Sequence, residues 1–167
     1  MRTVQASTLI MLLLLASLSA VMQPAYAADT TVNTETTWSG EIELTGNVTV
    51  ANGTTLTISP GTTIDAGDDH WIRIEGSLIA SDTTLYSSVT PLTQGSHGAG
   101  LWVGIQIESN GHAHMSNVTI NNAKTAVRNH GNFTASTLHI NDAYIGLSNF
   151  GTASLADLAA QDIDYDV

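Results

Sequence analysis

Apolar and polar residues alternate over short segments of this chain, and turn residues separate the segments. Val48-x-Val50 and Leu56-x-Ile58 are typical, because a spacing of two places both apolar side chains on one face of a strand. Glycine and asparagine interrupt these segments every few residues, which leaves no room for a helix. The pattern therefore predicts an all-β protein built from many short strands.

A repeat of 20 residues runs through the second half of the chain and is marked by Gly111, Gly131 and Gly151. Apolar and polar positions recur in phase with these glycines. The apolar sets include Ile107, Val127 and Leu147; Met115, Ala135 and Leu155; and Val118, Leu138 and Leu158. The polar sets are Ser109, Asn129 and Asn149; Asn121, Asn141 and Gln161; and Asn122, Asp142 and Asp162. A repeat of about 20 residues made only of strands and turns is typical of a parallel β-helix, whose coils stack about 4.8 Å apart.

Residues 1–27 have the features of a secretory signal peptide. Arg2 gives a positive start, an apolar run extends over Leu9–Ala16, and Ala25 and Ala27 are the small residues that a signal peptidase reads. The apolar run is shorter than the ~20 residues needed to span a bilayer, and no later segment approaches that length. We therefore expect a secreted or cell-surface protein, cleaved after Ala27, with no transmembrane segment in the mature chain.

The remaining chain divides into a short cover and one domain. Residues 28–40 are rich in threonine and contain Trp38, so we expect them to form an N-terminal cover or linker. Residues 41–167 carry the β-helix pattern, which residues 87–100 interrupt with a predicted loop. The repeat continues to the last residues without a recognisable cap. The domain is therefore expected to be truncated or uncapped at its C-terminus, which favours self-association through the last coil.

Five segments carry a further signal: Asn47–Val50, Leu56–Ile64, Ile72–Ala80, Leu101–Ile107 and Ser116–Ala123. They resemble coils of right-handed parallel β-helix proteins of the pectin-lyase-like superfamily, in particular its exported surface-protein branch. The resemblance covers about residues 41–167 and implies a right-handed parallel β-helix solenoid, for which we expect about five or six coils. It implies no single activity, because the superfamily contains polysaccharide lyases, hydrolases, adhesins and many proteins without known activity.

Charge and composition exclude several classes of function. The formal net charge is −11, and residues 28–167 contain 15 acidic and three basic residues, which makes their own charge −12. Nucleic-acid binding requires clustered cations, so we expect no nucleic-acid partner. The absence of cysteine excludes a disulfide scaffold, a cysteine-ligated zinc site and a thiol nucleophile.

The resemblance implies what a polysaccharide lyase of this fold would need: carboxylates that bind Ca²⁺ and a basic residue, often arginine, on one outward face. Arg73 and Arg128 are the only arginines of the mature chain. In the 20-residue frame Arg128 follows Glu108 by one coil, which predicts a cross-strand ion pair. No acidic cluster falls in register around Arg128, so we assign no catalytic residue.

Two groups of residues are candidate metal ligands. His112 and His114 alternate on one strand face, a spacing that can chelate Zn²⁺ or Cu²⁺, with His97 as a candidate third ligand. The alternative is a pair of solvated surface histidines. Asp162, Asp164 and Asp166 also alternate, which makes them a candidate Ca²⁺ site or, alternatively, a solvated acidic edge.

We expect an exported, non-enzymatic surface or interaction module whose partner is an extracellular glycan or a surface protein. The alternative is the N-terminal part of a polysaccharide lyase or glycoside hydrolase whose active site is missing or lies further downstream. We also expect Asn129 and Asn149 to stack with Ser109 in one inward-facing asparagine ladder.

Overall fold

The computed structural model describes residues 26–27, 29–89 and 101–165, and all regular structure in them is β-strand. Parallel strands stack into a solenoid of about six turns, which confirms the predicted all-β parallel β-helix. The described residues contain no helix long and apolar enough to cross a membrane. Most of the predicted signal peptide, residues 90–100 of the predicted loop and residues 166–167 lie outside the described part of the chain.

Each turn of the solenoid contributes strand segments to three faces, which we name A, B and C. Within each face the strands of successive turns pair in parallel. Face A contains β2 (Thr30–Val32), β5 (Val48–Val50), β8 (Trp71–Ile74), β10 (Gly104–Ile107), β12 (Thr125–Asn129) and the end of β14 (Leu138–Asn149). Face B contains β3 (Thr36–Trp38), β6 (Thr55–Ile58), the starts of β9 (Ser77–Tyr86) and β11 (His112–Asn121), β13 (Asn132–Ala135) and β15 (Thr152–Leu155). Face C contains β1 (Tyr26–Ala27), β4 (Glu41–Thr45), β7 (Thr63–Asp65), the ends of β9 and β11, the start of β14 and β16 (Leu158–Tyr165).

The core consists of aliphatic side chains that point inward at every second strand position and stack from turn to turn. On face A, Ile72, Ile105 and Val127 follow one another in register, and all three are fully buried. Trp38 is buried in the first turn, and the Trp102 indole is enclosed with its Nε1 donating to the carbonyl oxygen of Asn121 at 3.0 Å. Removing this apolar surface from water stabilises the stack by roughly 25 cal/mol per Å².

The predicted 20-residue register is confirmed on faces B and C but is wrong on part of face A. Met115 pairs with Ala135 on face B, as the repeat predicts. On face A, however, Ile105 pairs with Val127, so that Ile107 lies beside Asn129. The reason is the connection that follows Ile107, which is two residues longer than the connection after Asn129.

The asparagine ladder is present without its predicted third member. Asn129 is fully buried and its Nδ2 donates to Asn149 Oδ1 at 2.7 Å and to the carbonyl oxygen of Thr152 at 3.0 Å. Its Oδ1 accepts a hydrogen bond from the backbone N–H of Gly131 at 3.0 Å. Ser109 is exposed in the longer connection, so the prediction that it joins this ladder is wrong.

The repeated glycines mark the corner at which the backbones of successive turns meet. A Cβ atom on Gly131 would collide with the carbonyl oxygens of Glu108 and Gly111 in the preceding turn. Gly151 would collide in the same way with the backbone of Gly131. The spacing of 20 residues therefore reflects close backbone contact between successive turns at the corner that joins face A to face B.

Candidate functional site

The connections from face A to face B differ in length, and this difference opens a slot in the surface. The β5–β6 and β10–β11 connections each have four residues and close with a backbone hydrogen bond, from Thr54 N to Ala51 O at 3.1 Å and from Gly111 N to Glu108 O at 2.7 Å. The β8–β9 connection lies between them in the stack and has only two residues. It is therefore recessed between two projecting turns.

The slot, as we name this depression, has a volume of about 480 Å³ and is open to solvent. It is lined by Asn52, Arg73, Glu75, Glu108, Ser109 and Asn110. One guanidinium, two carboxylates, two carboxamides and a hydroxyl therefore converge on one surface depression, and none of these side chains is apolar. Such a set both donates and accepts hydrogen bonds, which suits a ligand rich in hydroxyl groups.

Arg73 is the cation of the slot and is held from two sides. Its Nε lies 3.3 Å from Glu108 Oε1, and its guanidinium lies over the Trp71 ring, 5.3 Å from the ring centroid. The side chains of Arg73 and Glu108 are 37% and 41% exposed, so the ion pair itself contributes little to stability. Its effect is to orient the guanidinium, which is charged at every physiological pH.

The predicted ion pair between Glu108 and Arg128 is wrong. Glu108 contacts Arg73, whereas Arg128 aligns with Gln106 in the preceding turn and is exposed on face A. The two extra residues of the β10–β11 connection shift the register, so that Glu108 follows Ile107 in line with His130 of the next turn and not with Arg128.

The histidine pair lies at the start of β11 on face B and does not line the slot. His112 and His114 are both exposed on β11 and line a shallow groove of about 280 Å³. Asn132 on the next turn approaches His112, with 3.4 Å between its Nδ2 and His112 Nδ1. His97, the candidate third ligand, lies outside the described residues.

The acidic C-terminal candidates are only partly described. Asp162 is exposed and has a φ of 53°, a left-handed conformation that it shares with Asn122 and Asp142 at the equivalent turn positions. The recurring polar residue therefore reflects a tight corner, because Asn and Asp tolerate this conformation better than most residues. The side chain of Asp164, and all of Asp166, lie outside the described part. Within the described residues, no three histidine or acidic side chains cluster closely enough to hold a metal ion.

Two stacked aromatic rings lie at the corner between faces A and B, on the two turns that follow the slot. His130 and Phe150 follow Glu108 at the same position on successive turns, and their rings stack with centroids 4.9 Å apart and an interplanar angle of 13°. Phe150 is 70% exposed, which leaves a ring face available to a ligand.

The slot was not predicted from the sequence. Its side chains come from three turns of the solenoid, and only stacking brings Glu75 beside Glu108. One signal was available: Asn52-Gly53 and Ser109-Asn110 are extra residues in their connections when these are compared with the two-residue connections elsewhere. Extra residues at a solenoid corner project from the stack, and such projections commonly form binding surfaces.

No protein-family model matches this sequence, and comparison with curated proteins and with solved structures finds no match either. The chemistry of the site therefore rests on the side chains themselves.

Proposed function

We propose that this protein is an exported, non-enzymatic module of the pectin-lyase-like kind that binds a neutral glycan in the slot. The observation that carries the proposal is the lining of the slot: Arg73, Glu75 and Glu108 stand between the amide side chains of two projecting turns. Sugar hydroxyls donate to carboxylates and accept from guanidinium and amide N–H groups, so a glycan offers partners of the kind that both the donors and the acceptors of the slot require. The proposed location is the cell surface or the extracellular medium, after removal of residues 1–27.

The charge of the protein favours a neutral glycan over an acidic one. The formal net charge is −11, and the slot itself holds two carboxylates against one guanidinium. A polyuronate or sulfated glycan would be repelled by both the molecule and the slot. A neutral chain meets no such repulsion, and the apolar side of a sugar ring can pack on the exposed face of Phe150 further along the same corner.

The test is glycan binding by the purified protein and by two arginine variants. A glycan array identifies ligands, and isothermal titration then compares the wild type with Arg73→Gln and with the matched control Arg128→Gln. Both substitutions remove one positive charge from face A, but only Arg73 lines the slot. We expect Arg73→Gln to weaken binding at least 10-fold and Arg128→Gln to change it less than twofold.

A second variant separates loss of ligand contact from loss of the Arg73–Glu108 pair. Glu75→Gln keeps that pair and removes one slot carboxylate, and we expect it to weaken binding about 10-fold with an unchanged melting temperature. No cofactor is proposed, so binding should be the same in EDTA and in millimolar Ca²⁺. Equal loss in the Arg73 and Arg128 variants, or no binding to any neutral glycan, would refute the proposal.

The competing proposal is that the chain is part of a polysaccharide lyase or glycoside hydrolase. Two slot carboxylates, Glu75 and Glu108, are the observation that favours a hydrolase, since paired carboxylates carry out glycoside hydrolysis. Incubating the bound glycan with the protein and measuring new reducing ends decides between the two. If the wild type releases reducing ends and Glu75→Gln does not, the protein is an enzyme and the binding-module proposal is wrong.

A further inference from the structure

We propose that His112 and His114 form a binding site for a divalent transition-metal ion, with Cu²⁺ the ion that is bound most tightly. The two histidines lie two residues apart on β11, and both side chains are exposed on the outward side of face B. A strand rises about 3.3 Å per residue, so the two Cα atoms are separated by about 6.6 Å. Imidazole side chains on that spacing can converge on one ion at the usual metal–nitrogen distance of about 2.0 Å.

The backbone that carries the pair is held on both sides. His112 and His114 pair with Ser77 and Ile79 of β9 on one side and with Asn132 and Thr134 of β13 on the other. The two Cβ atoms therefore keep their separation when an ion binds. A chelate on such a support loses little conformational entropy, which strengthens binding relative to the same pair in a flexible segment.

The groove around the pair contains oxygen donors and has room for water. Its polar lining besides the histidines is Thr55, Ser77, Asn132 and Thr134, and its apolar lining is Leu78, Ile79 and Ala113. Asn132 approaches His112 through its amide at 3.4 Å, and rotation of that amide presents its oxygen as a third ligand. Water completes the coordination, and two imidazole nitrogens with oxygen donors in a plane suit Cu²⁺.

The choice of ion follows from ligand chemistry and charge. For nitrogen and oxygen ligands the affinity order of divalent ions rises to Cu²⁺ and falls at Zn²⁺, whereas Ca²⁺ prefers an all-oxygen site. The net charge of −11 raises the concentration of any cation near the surface. The site lies on face B and shares none of the slot residues, although His112 follows the slot residue Asn110 by only two positions.

The experiment titrates Cu²⁺ into the full chain, made without a histidine tag, and records the electron paramagnetic resonance spectrum at one equivalent. His112→Gln and His114→Gln each remove one ligand, and His139→Gln is the matched control, because His139 is a strand histidine on face C whose neighbours in register are Thr119 and Ala159. We expect one bound Cu²⁺ with two coupled imidazole nitrogens in the wild type. Each ligand variant should weaken binding at least 10-fold and lose one coupled nitrogen, while the control should match the wild type.

Competition defines the ion class. Zn²⁺ should bind at least 10-fold more weakly than Cu²⁺, and millimolar Ca²⁺ should not displace either ion. Binding that persists unchanged in the double variant of His112 and His114 would overturn the proposal, as would failure of the wild type to bind one equivalent at neutral pH. The variants are exposed surface changes, and a circular dichroism melt confirms that each is folded.

Discussion

Single polar residues inside the solenoid stabilise its corners by completing the hydrogen bonds of the backbone. Asn129 lies at an inward position next to Ile107, where an apolar side chain would continue the core. Its amide instead accepts a hydrogen bond from the backbone N–H of Gly131 and donates to the carbonyl oxygen of Thr152. It also donates to the side chain of Asn149 in the next turn. The sequence repeat revealed both asparagines, but not that only Asn129 is enclosed.

Replacing Asn129 by Leu should destabilise the protein by about 2–4 kcal/mol, because it leaves the buried N–H of Gly131 without its partner and also removes the hydrogen bond to the carbonyl oxygen of Thr152. Asn149 is exposed, and Asn149→Leu should cost only about 1 kcal/mol, because water can replace its hydrogen bonds with Asn129 and with the carbonyl oxygen of Gly151. Urea unfolding followed by circular dichroism measures both values. Equal effects of the two substitutions would contradict the burial of Asn129.

The raised pKa of Tyr86 leads us to expect a loss of stability at alkaline pH. Burial raises the pKa of its phenol above 10.0, and the carboxylates of Asp65, Glu41 and Glu43 raise it further. The unfolded chain therefore releases this proton at lower pH than the folded chain, and the free energy of unfolding falls as pH rises above the unfolded pKa. Tyr86→Phe should show a smaller fall between pH 9 and pH 11 and equal stability at pH 7, as measured by urea unfolding at each pH.

At the scale of elements, the lengths of the connections between strands determine which surface features the solenoid forms. Two-residue connections such as Glu75-Gly76 let successive turns touch, and four-residue connections such as Glu108–Gly111 project outward. Alternating apolar residues predict the strands well, since the period-two alternation can be read within a few neighbouring residues. The length of a connection cannot be judged locally, because it has meaning only against the turns above and below it.

The glycine corner gives a prediction at this scale. Gly131→Ala should destabilise the protein by about 3 kcal/mol, near the upper end for overpacking, because the added methyl group meets backbone carbonyls that cannot move aside. Gly53→Ala is the contrasting variant: its φ of 79° is left-handed, but its Cβ would meet nothing within 4 Å, so it should cost about 1 kcal/mol. Thermal unfolding measures the stability of both variants. A larger loss for Gly53→Ala than for Gly131→Ala would contradict the close contact between turns.

At the scale of the whole molecule, two features have opposite effects on association at the last turn that the structure describes. Leu147, Leu155 and Ile163 are only partly buried, and β15 and β16 each pair with one neighbouring strand among the described residues. An exposed parallel edge is a template for another strand. The exposed carboxylates of Asp157 and Asp162 lie near the same edge and repel a second copy.

A protein made as residues 28–167 should therefore self-associate, and more strongly when its carboxylates are protonated or screened. Size-exclusion chromatography with light scattering at neutral pH, near pH 4 and in 1 M salt measures the effect. The expected result is a larger mean mass at pH 4 and in high salt than at neutral pH. Monomers under all three conditions would show that the last turn is protected in another way.

The sequence alone determined the all-β solenoid, the stacking of about one turn per 20 residues and the inward positions on faces B and C. These follow from local alternation and from a repeat that stays in phase wherever connections keep their length. Only the tertiary structure decided the register of Glu108 and Arg73, the burial of Asn129 and the presence of the slot. Two extra residues in one connection change which side chains meet across turns, and that consequence exists only once the turns are stacked.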